Sequence, residues 1–75
     1  MKLPVLSGKE LIKILGKAGF ETDHVTGSHA ILRKNVPPFT RVTVPLHKEL
    51  AKGTLNAILK QTGITREELE KLLTS

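Results

Sequence analysis

Cysteine, tyrosine and tryptophan are missing from this 75-residue sequence, and phenylalanine occurs only twice. Without cysteine there is neither a disulfide nor a thiolate nucleophile, and this composition fits a reducing cytoplasm. So few aromatic side chains weaken any function in which nucleobases stack on an aromatic platform. No apolar run approaches the ~20 residues of a membrane span, and the N-terminal segment is too short and too interrupted for a signal peptide.

Positive charge is what the sequence has in excess, since twelve Lys and Arg against seven Asp and Glu give a formal charge of +5. Such a charge on a small protein favours a nucleic-acid partner, and the alternative is a basic protein that is merely soluble. The length predicts a single domain over residues 1–75. Its core is expected to be small, because a chain of this size buries roughly 60% of the surface that its unfolded form exposes.

Three helices are predicted from capping signals and hydrophobic periodicity. The capping box Ser7-Gly8-Lys9-Glu10 starts the first helix, and Gly19 follows its end. The second helix opens at Gly53-Thr54, and Gly63 closes it. A further capping box at Thr65–Glu68 predicts a short third helix at the C-terminus.

Between the first two helices, the sequence predicts a three-stranded antiparallel meander. The strands are expected over residues 20–26, 29–34 and 40–45, although the first of these alternates poorly between apolar and polar residues. Such a sheet needs its apolar face covered, and the first two helices are the available covers. The sequence therefore predicts an α+β fold whose opposite sheet face stays open. On that face we expect Arg33, Arg41 and Thr43, joined by His29 if no bulge intervenes.

The tripeptide Gly27-Ser28-His29 stands at the head of the second predicted strand. Histidine has the side-chain pKa nearest neutrality and is the commonest proton-transfer group in catalysis. The alternative is a turn histidine whose ring bonds to the hairpin. Gly27 can take the positive φ that a tight turn needs, and Ser28 can cap the turn, bind phosphate or orient His29, of which we favour the turn role.

Several short motifs in a fixed order resemble one family. Gly19-Phe20 ends the first helix, Gly27-Ser28-His29 follows the first strand, and Val44-Pro45-Leu46-His47 ends the third strand. Gly53-Thr54-Leu55, Ile58-Leu59-Lys60-Gln61 and Gly63-Ile64 complete the set. Each motif is weak alone, but together, from about residue 6 to about residue 65, they resemble the HicA (YcfA-like) toxins of toxin–antitoxin pairs.

The resemblance implies a fold like that of double-stranded-RNA-binding domains, with the order α-β-β-β-α. It also implies an mRNA interferase, an RNA endonuclease that acts in the cytoplasm and is blocked by a HicB antitoxin. We expect a monomer when the toxin is free and a hetero-oligomer with the antitoxin. The catalytic histidine of the family carries over to His29.

The chemistry expected of such a site needs neither a metal nor another cofactor. RNA supplies its own nucleophile, the 2′-hydroxyl. A neutral histidine can remove its proton, while lysine or arginine holds charge on the phosphate. The helix amides near Gly53 would also attract phosphate. The residues expected to bind the RNA are Gly27, Ser28, Arg33, Arg41, His47, Lys48 and Lys52.

Other functions remain open from the sequence. One is a double-stranded-RNA-binding module without catalysis, and another is a protein-interaction module whose positive surface meets an acidic partner. His24 can be a second proton shuttle, although a surface histidine on a strand is favoured, and His47 can bind RNA or support its loop. No zinc-like spacing joins the three histidines. Lys9, Lys13 and Lys17 form a stripe that is either a phosphate track or a solvated helix face.

Overall fold

The computed structural model describes residues 5–74, and its elements follow the predicted order. The three strands lie between α1 and α2, and α3 follows. The bounds are α1 Gly8–Lys17, β1 Phe20–Thr26, β2 His29–Lys34, β3 Arg41–Pro45, α2 Lys52–Thr62 and α3 Arg66–Thr74. The predicted α+β class and the order α-β-β-β-α, extended by a C-terminal helix, are confirmed.

The helix ends show why these segments fold as they do. Ser7 Oγ accepts a hydrogen bond from the Glu10 amide at 3.1 Å, and Glu10 Oε1 accepts one from the Ser7 amide at 3.0 Å, so the predicted capping box is present. Thr65 and Glu68 form the equivalent pair ahead of α3. The second helix begins at Lys52, one residue earlier than Gly53-Thr54, and is not capped by a side chain.

The sheet has the order β1-β2-β3, with both neighbouring pairs antiparallel. A two-residue turn joins the first two strands, and Gly27 enters it with a φ of 55°, which a glycine adopts without a steric penalty. The register of β1 shifts between Thr22 and His24, so that Asp23 lies in a β-bulge. This bulge is the physical reason for the poor alternation of the first predicted strand.

One face of the sheet is covered and supplies the core. Ala30 and Leu32 on β2 are fully buried, as are Val42 and Val44 on β3 to within 2%. Both α1 and α2 contact the sheet, and α3 packs on α1, with Leu69 fully buried. Within residues 5–74, no helix has the length and the apolar character to cross a bilayer.

The segment ahead of α1 is bonded to the connection between β3 and α2. The Gly8 amide donates to the His47 carbonyl at 2.9 Å, and the Leu50 amide donates to the Leu6 carbonyl at 2.8 Å. A Cβ at Gly8 would collide with the Pro45 carbonyl oxygen. Glycine at this position therefore allows α1 to begin directly against the end of the sheet.

Candidate functional site

The open face of the sheet carries three rows of side chains that run across the strands. Their order follows from the strand register and from the alternation of exposed and buried residues. The turn row is Thr26, His29 and Pro45, the middle row is His24, Ile31 and Thr43, and the arginine row is Glu21, Arg33 and Arg41. Histidines thus occupy the turn row and the middle row, and guanidinium groups occupy the opposite end of this face.

His29 is the central residue of the turn row and is exposed. No bulge interrupts β2, so His29 shares the open face with Arg33, as the sequence predicts. Ser28 Oγ lies 3.4 Å from His29 Nδ1, a long contact for a hydrogen bond. Ser28 thus lies where it can orient the ring, in addition to the turn role favoured from the sequence. With Nδ1 facing Ser28, Nε2 is the nitrogen left for a substrate.

Arg33 and Arg41 are direct partners across β2 and β3. Within residues 5–74, neither forms an ion pair within 4 Å. Two like charges placed opposite each other repel, and a bound phosphate would relieve that repulsion. Arg33 lies four positions after His29 on β2, a separation of about 13 Å at the strand rise. The arginine row therefore suits a different phosphate of the chain from the one beside His29.

An aspartate–histidine pair lies at the bulge in β1. His24 Nδ1 is 3.1 Å from Asp23 Oδ2, and the two side chains are 53% and 30% exposed. This hydrogen bond from His24 lowers the pKa of the Asp23 carboxyl below its ordinary value, and the positive charges of Arg33 and Arg41 act in the same direction. Asp23 is thus an ionised hydrogen-bond acceptor at neutral pH.

The connection from β3 to α2 begins beside the turn row. Pro45 is the partner of His29, and the Leu46 amide donates to the Ser28 carbonyl at 2.6 Å. His47 and Lys48 follow on this connection with exposed side chains. Lys52 is the first residue of α2, whose N-terminus lacks a side-chain cap. These residues leave the sheet at the end where His29 lies, and their roles in binding RNA stay predictions.

The lysine stripe of α1 lies on the helical side of the molecule, away from the open face. Lys17 Nζ donates to the Leu72 carbonyl at 3.1 Å and so holds α3 against α1. Lys13 and Lys17 also line a groove of about 240 Å³ between these helices. The structure thus gives Lys17 a packing role between α1 and α3, and the phosphate track stays a prediction.

Metal-binding clusters are absent from residues 5–74, where no three His, Asp or Glu side chains gather closely enough to hold an ion. The open face is an extended surface with imidazoles, hydroxyls and guanidinium groups. Such a surface can accommodate a polyanion along its length and transfer protons at its turn end.

The comparison with known protein families gives a match over most of the chain. The family described as the HicA toxin of bacterial toxin–antitoxin pairs matches residues 8–64 of the chain. The chain belongs to the HicA toxin family. Its role is accordingly that of the toxin in a toxin–antitoxin system. No curated protein gives a significant match to the chain.

The region matched to the HicA family spans α1, the sheet and α2 and ends at Ile64. It includes Gly27-Ser28-His29 and leaves α3 outside. In this HicA chain, α3 completes the core through Leu69, which is fully buried. The resemblance found in the sequence is thus confirmed over the same part of the chain.

Sequence reasoning gave little weight to Asp23 and His24 in this HicA chain. Neighbouring residues on a regular strand point to opposite faces, so a contact between their side chains is unexpected without the bulge. The weak alternation of residues 20–26 was the one available signal, and it did not identify which residue bulges. The strand register was needed to place His24 on the face that carries His29.

Proposed function

We propose that this HicA toxin is an RNA endonuclease that cleaves mRNA in the cytoplasm, with His29 as its proton-transfer residue. The observation that carries the proposal is the placement of His29. Its imidazole is exposed on the open sheet face, Ser28 lies beside Nδ1, and positive side chains lie on the same face and on the connection next to it. Membership of the HicA family supports the same activity.

In the proposed reaction, His29 Nε2 removes the proton of a ribose 2′-hydroxyl. The 2′-oxygen then attacks the adjacent phosphorus, and the bond from phosphorus to the 5′-oxygen breaks. The products are a 2′,3′-cyclic phosphate and a 5′-hydroxyl end, once the leaving oxygen has received a proton. DNA lacks the nucleophile, so the reaction is specific for RNA and requires no metal ion.

The RNA is proposed to lie along the open face with one phosphate at the turn row and another near the arginine row. Arg33 and Arg41 then hold the second phosphate about 13 Å from His29. At the turn row, Gly27 and Ser28 shape the approach to His29. The connection and the start of α2 add His47, Lys48 and Lys52 as phosphate contacts.

The second proposed partner is an antitoxin protein of the HicB type, which the family implies. An inhibitor of this site has to cover the open face and match its positive charge. An acidic surface is therefore the expected chemistry of the bound antitoxin. The free toxin is proposed to be a monomer that forms a hetero-oligomer with the antitoxin.

The test is cleavage of labelled RNA by His29→Ala in the presence of a chelator. The variant is expected to lose 10²–10⁴-fold in rate, the usual worth of general acid–base catalysis. Since the side chain is exposed, its thermal unfolding and its affinity for RNA should match the wild type. Glu70→Ala, an exposed change on α3, is the control and should cleave normally.

Two outcomes contradict the proposal. Equal cleavage by His29→Ala and the wild type would remove His29 from catalysis. Salt-sensitive binding of RNA by the wild type without cut products would instead favour the non-catalytic double-stranded-RNA-binding module, whose phosphate contacts release counterions.

A further inference from the structure

We infer that His24, oriented by Asp23, is a second proton-transfer residue of this toxin and protonates the leaving 5′-oxygen of the RNA. The inference rests on the proposed endonuclease function and deepens it. In this two-histidine site, His29 of the turn row is the general base and His24 of the middle row is the general acid.

The strand register brings the two imidazoles to the same phosphate. His24 is the partner of Ile31, and His29 stands two residues before Ile31 on the same strand. Residues in this diagonal relation have Cα atoms about 7–8 Å apart, within reach of aromatic side chains. Both histidines are exposed. A phosphodiester seated between them can therefore meet a ring nitrogen on each side of the phosphorus.

Such placement matches the geometry of the reaction. The attacking and leaving oxygens of a phosphoryl transfer lie roughly in line through the phosphorus. One proton-transfer group thus has to approach from each side, and a single imidazole cannot contact both oxygens at once. His47 lies beyond the sheet on the connection to α2, whereas His24 lies within the open face.

The bulge in β1 gives His24 its orienting partner. It places the Asp23 carboxylate 3.1 Å from His24 Nδ1, although neighbours on a regular strand point apart. Because an ionised carboxylate can only accept, Nδ1 is the donor of this bond. The other ring nitrogen, Nε2, is left to meet the substrate. This is the arrangement of an oriented acid–base histidine.

The charges around the pair keep Asp23 in its accepting form. Arg33 and Arg41 both act on its carboxylate, in addition to the bond from His24. Glu21 is the partner of Arg33 on the same face. An Asp23 that stays ionised holds His24 in one orientation throughout the reaction, so Asp23 is a positioning residue rather than a catalytic one.

The proton balance of the step is complete. His29 Nε2 takes the proton of the 2′-hydroxyl as the new bond from oxygen to phosphorus forms. His24 begins the step with a proton on each ring nitrogen, and its Nε2 gives one to the 5′-oxygen as the bond from phosphorus to that oxygen breaks, while Nδ1 keeps its bond to Asp23. His29 ends with one proton more and His24 with one fewer. Exchange with water then restores both.

The experiment compares two RNA substrates that differ in one atom. In the second substrate, sulfur replaces the bridging 5′-oxygen at the cleaved bond, and a thiolate leaves without needing a proton. His24→Ala is expected to lose 10²–10⁴-fold on ordinary RNA and to match the wild type on the sulfur substrate. Asp23→Asn should lose less of the cleavage rate on ordinary RNA than His24→Ala does, and it should match the wild type on the sulfur substrate. His29→Ala should cleave both substrates slowly, because the 2′-hydroxyl has to lose its proton whether oxygen or sulfur leaves.

His47→Ala is the matched histidine control. Whatever it does to RNA binding, its ratio of rates on the two substrates should equal that of the wild type. Wild-type cleavage of ordinary RNA by His24→Ala would overturn the inference and leave the proposed function intact, and so would an equal loss on both substrates. A wild type that cleaves neither substrate would overturn the proposed function and this inference together.

Discussion

The two faces of the sheet differ in nearly every property, although they alternate residue by residue along the same strands. On β2, Ala30 and Leu32 are fully buried beneath the helices, while His29 and Arg33 are exposed on the other side. The covered face is apolar, and the open face carries imidazole, hydroxyl and guanidinium groups. Adjacent residues on one strand thus serve different purposes: buried ones stabilise the fold, and exposed ones are proposed to serve function. Substitutions on the covered face should therefore affect stability, and those on the open face should affect RNA binding and cleavage.

The largest expected effect on stability comes from the covered face. Leu32→Ala removes a fully buried side chain, and such changes cost about 2–5 kcal/mol. A protein of this size has little stability to lose, so we expect a large part of Leu32→Ala to be unfolded at 37 °C. Chemical denaturation followed by circular dichroism measures the effect.

Ile31→Ala is the matched control, because Ile31 is the next residue along β2 and lies half-buried on the open face. Ile31→Ala should lower the free energy of unfolding clearly less than Leu32→Ala does. Equal losses for the two variants would contradict the division between the faces.

An intermediate effect is expected at the helix that covers the sheet. Ser7→Ala removes the cap of α1, which usually costs about 1 kcal/mol. The Ser7 amide, which donates to the Glu10 carboxylate, lowers the pKa of Glu10 below its ordinary 4.5, and the bond with the Ser7 side chain acts in the same direction. The folded state therefore favours the ionised carboxylate, and this contribution is present above pH 4.5 and lost as the pH falls through the folded pKa.

Because Ser7→Ala keeps the amide that donates to Glu10, this linkage is tested with Glu10→Gln, whose thermal melts are compared with those of the wild type across pH 3–7. The gap between the two melting temperatures should be widest near neutral pH and should narrow in acid. Asp23, whose pKa is also lowered, is present in both proteins and does not affect the difference. A gap that widens in acid would contradict the assigned sign.

The smallest effect on stability is expected at the arginine row. Arg33→Ala should change the free energy of unfolding by no more than about 0.5 kcal/mol, as exposed substitutions usually do. The lost repulsion from Arg41 and the lost attraction to Glu21, the other cross-strand partner, act in opposite directions, so the net change should be small. RNA binding should weaken, and the slope of log K against log salt should fall by about 0.7 for one lost contact to single-stranded RNA.

Arg66→Ala removes the same charge from α3, away from the open face, and serves as the control for overall charge. Its salt slope should equal that of the wild type. If both variants lower the slope alike, the arginine row is not a local binding site, and the charge of the whole molecule accounts for the binding.

Much of the fold could be predicted because its signals are local. The capping boxes at Ser7 and Thr65 and the glycine of the first turn each depend on a few neighbouring residues. The alternation of Arg41, Val42, Thr43 and Val44 likewise gives the two faces of β3 directly. These elements appear in the structure within one residue of their predicted bounds.

The site was less predictable because it depends on register between strands. Parity and the strand rise along β2 put His29 and Arg33 on one face about 13 Å apart, but the pairing of Arg33 with Arg41 appears only when the strands are aligned. The bulge at Asp23 depends on pairing with β2, and residues 20–26 contain no signal that locates it. The contact from Ser28 Oγ to the His29 ring likewise depends on the turn geometry.

Residues 6–8 hold the connection between β3 and α2, which comes much later in the sequence. Through the bonds from Gly8 to His47 and from Leu50 to Leu6, they fix the connection that leaves the sheet beside His29. Deleting or substituting these residues would therefore disturb the surroundings of the histidine turn without altering any residue that is proposed to bind RNA. The design of expression clones and the choice of truncation points should keep this segment intact.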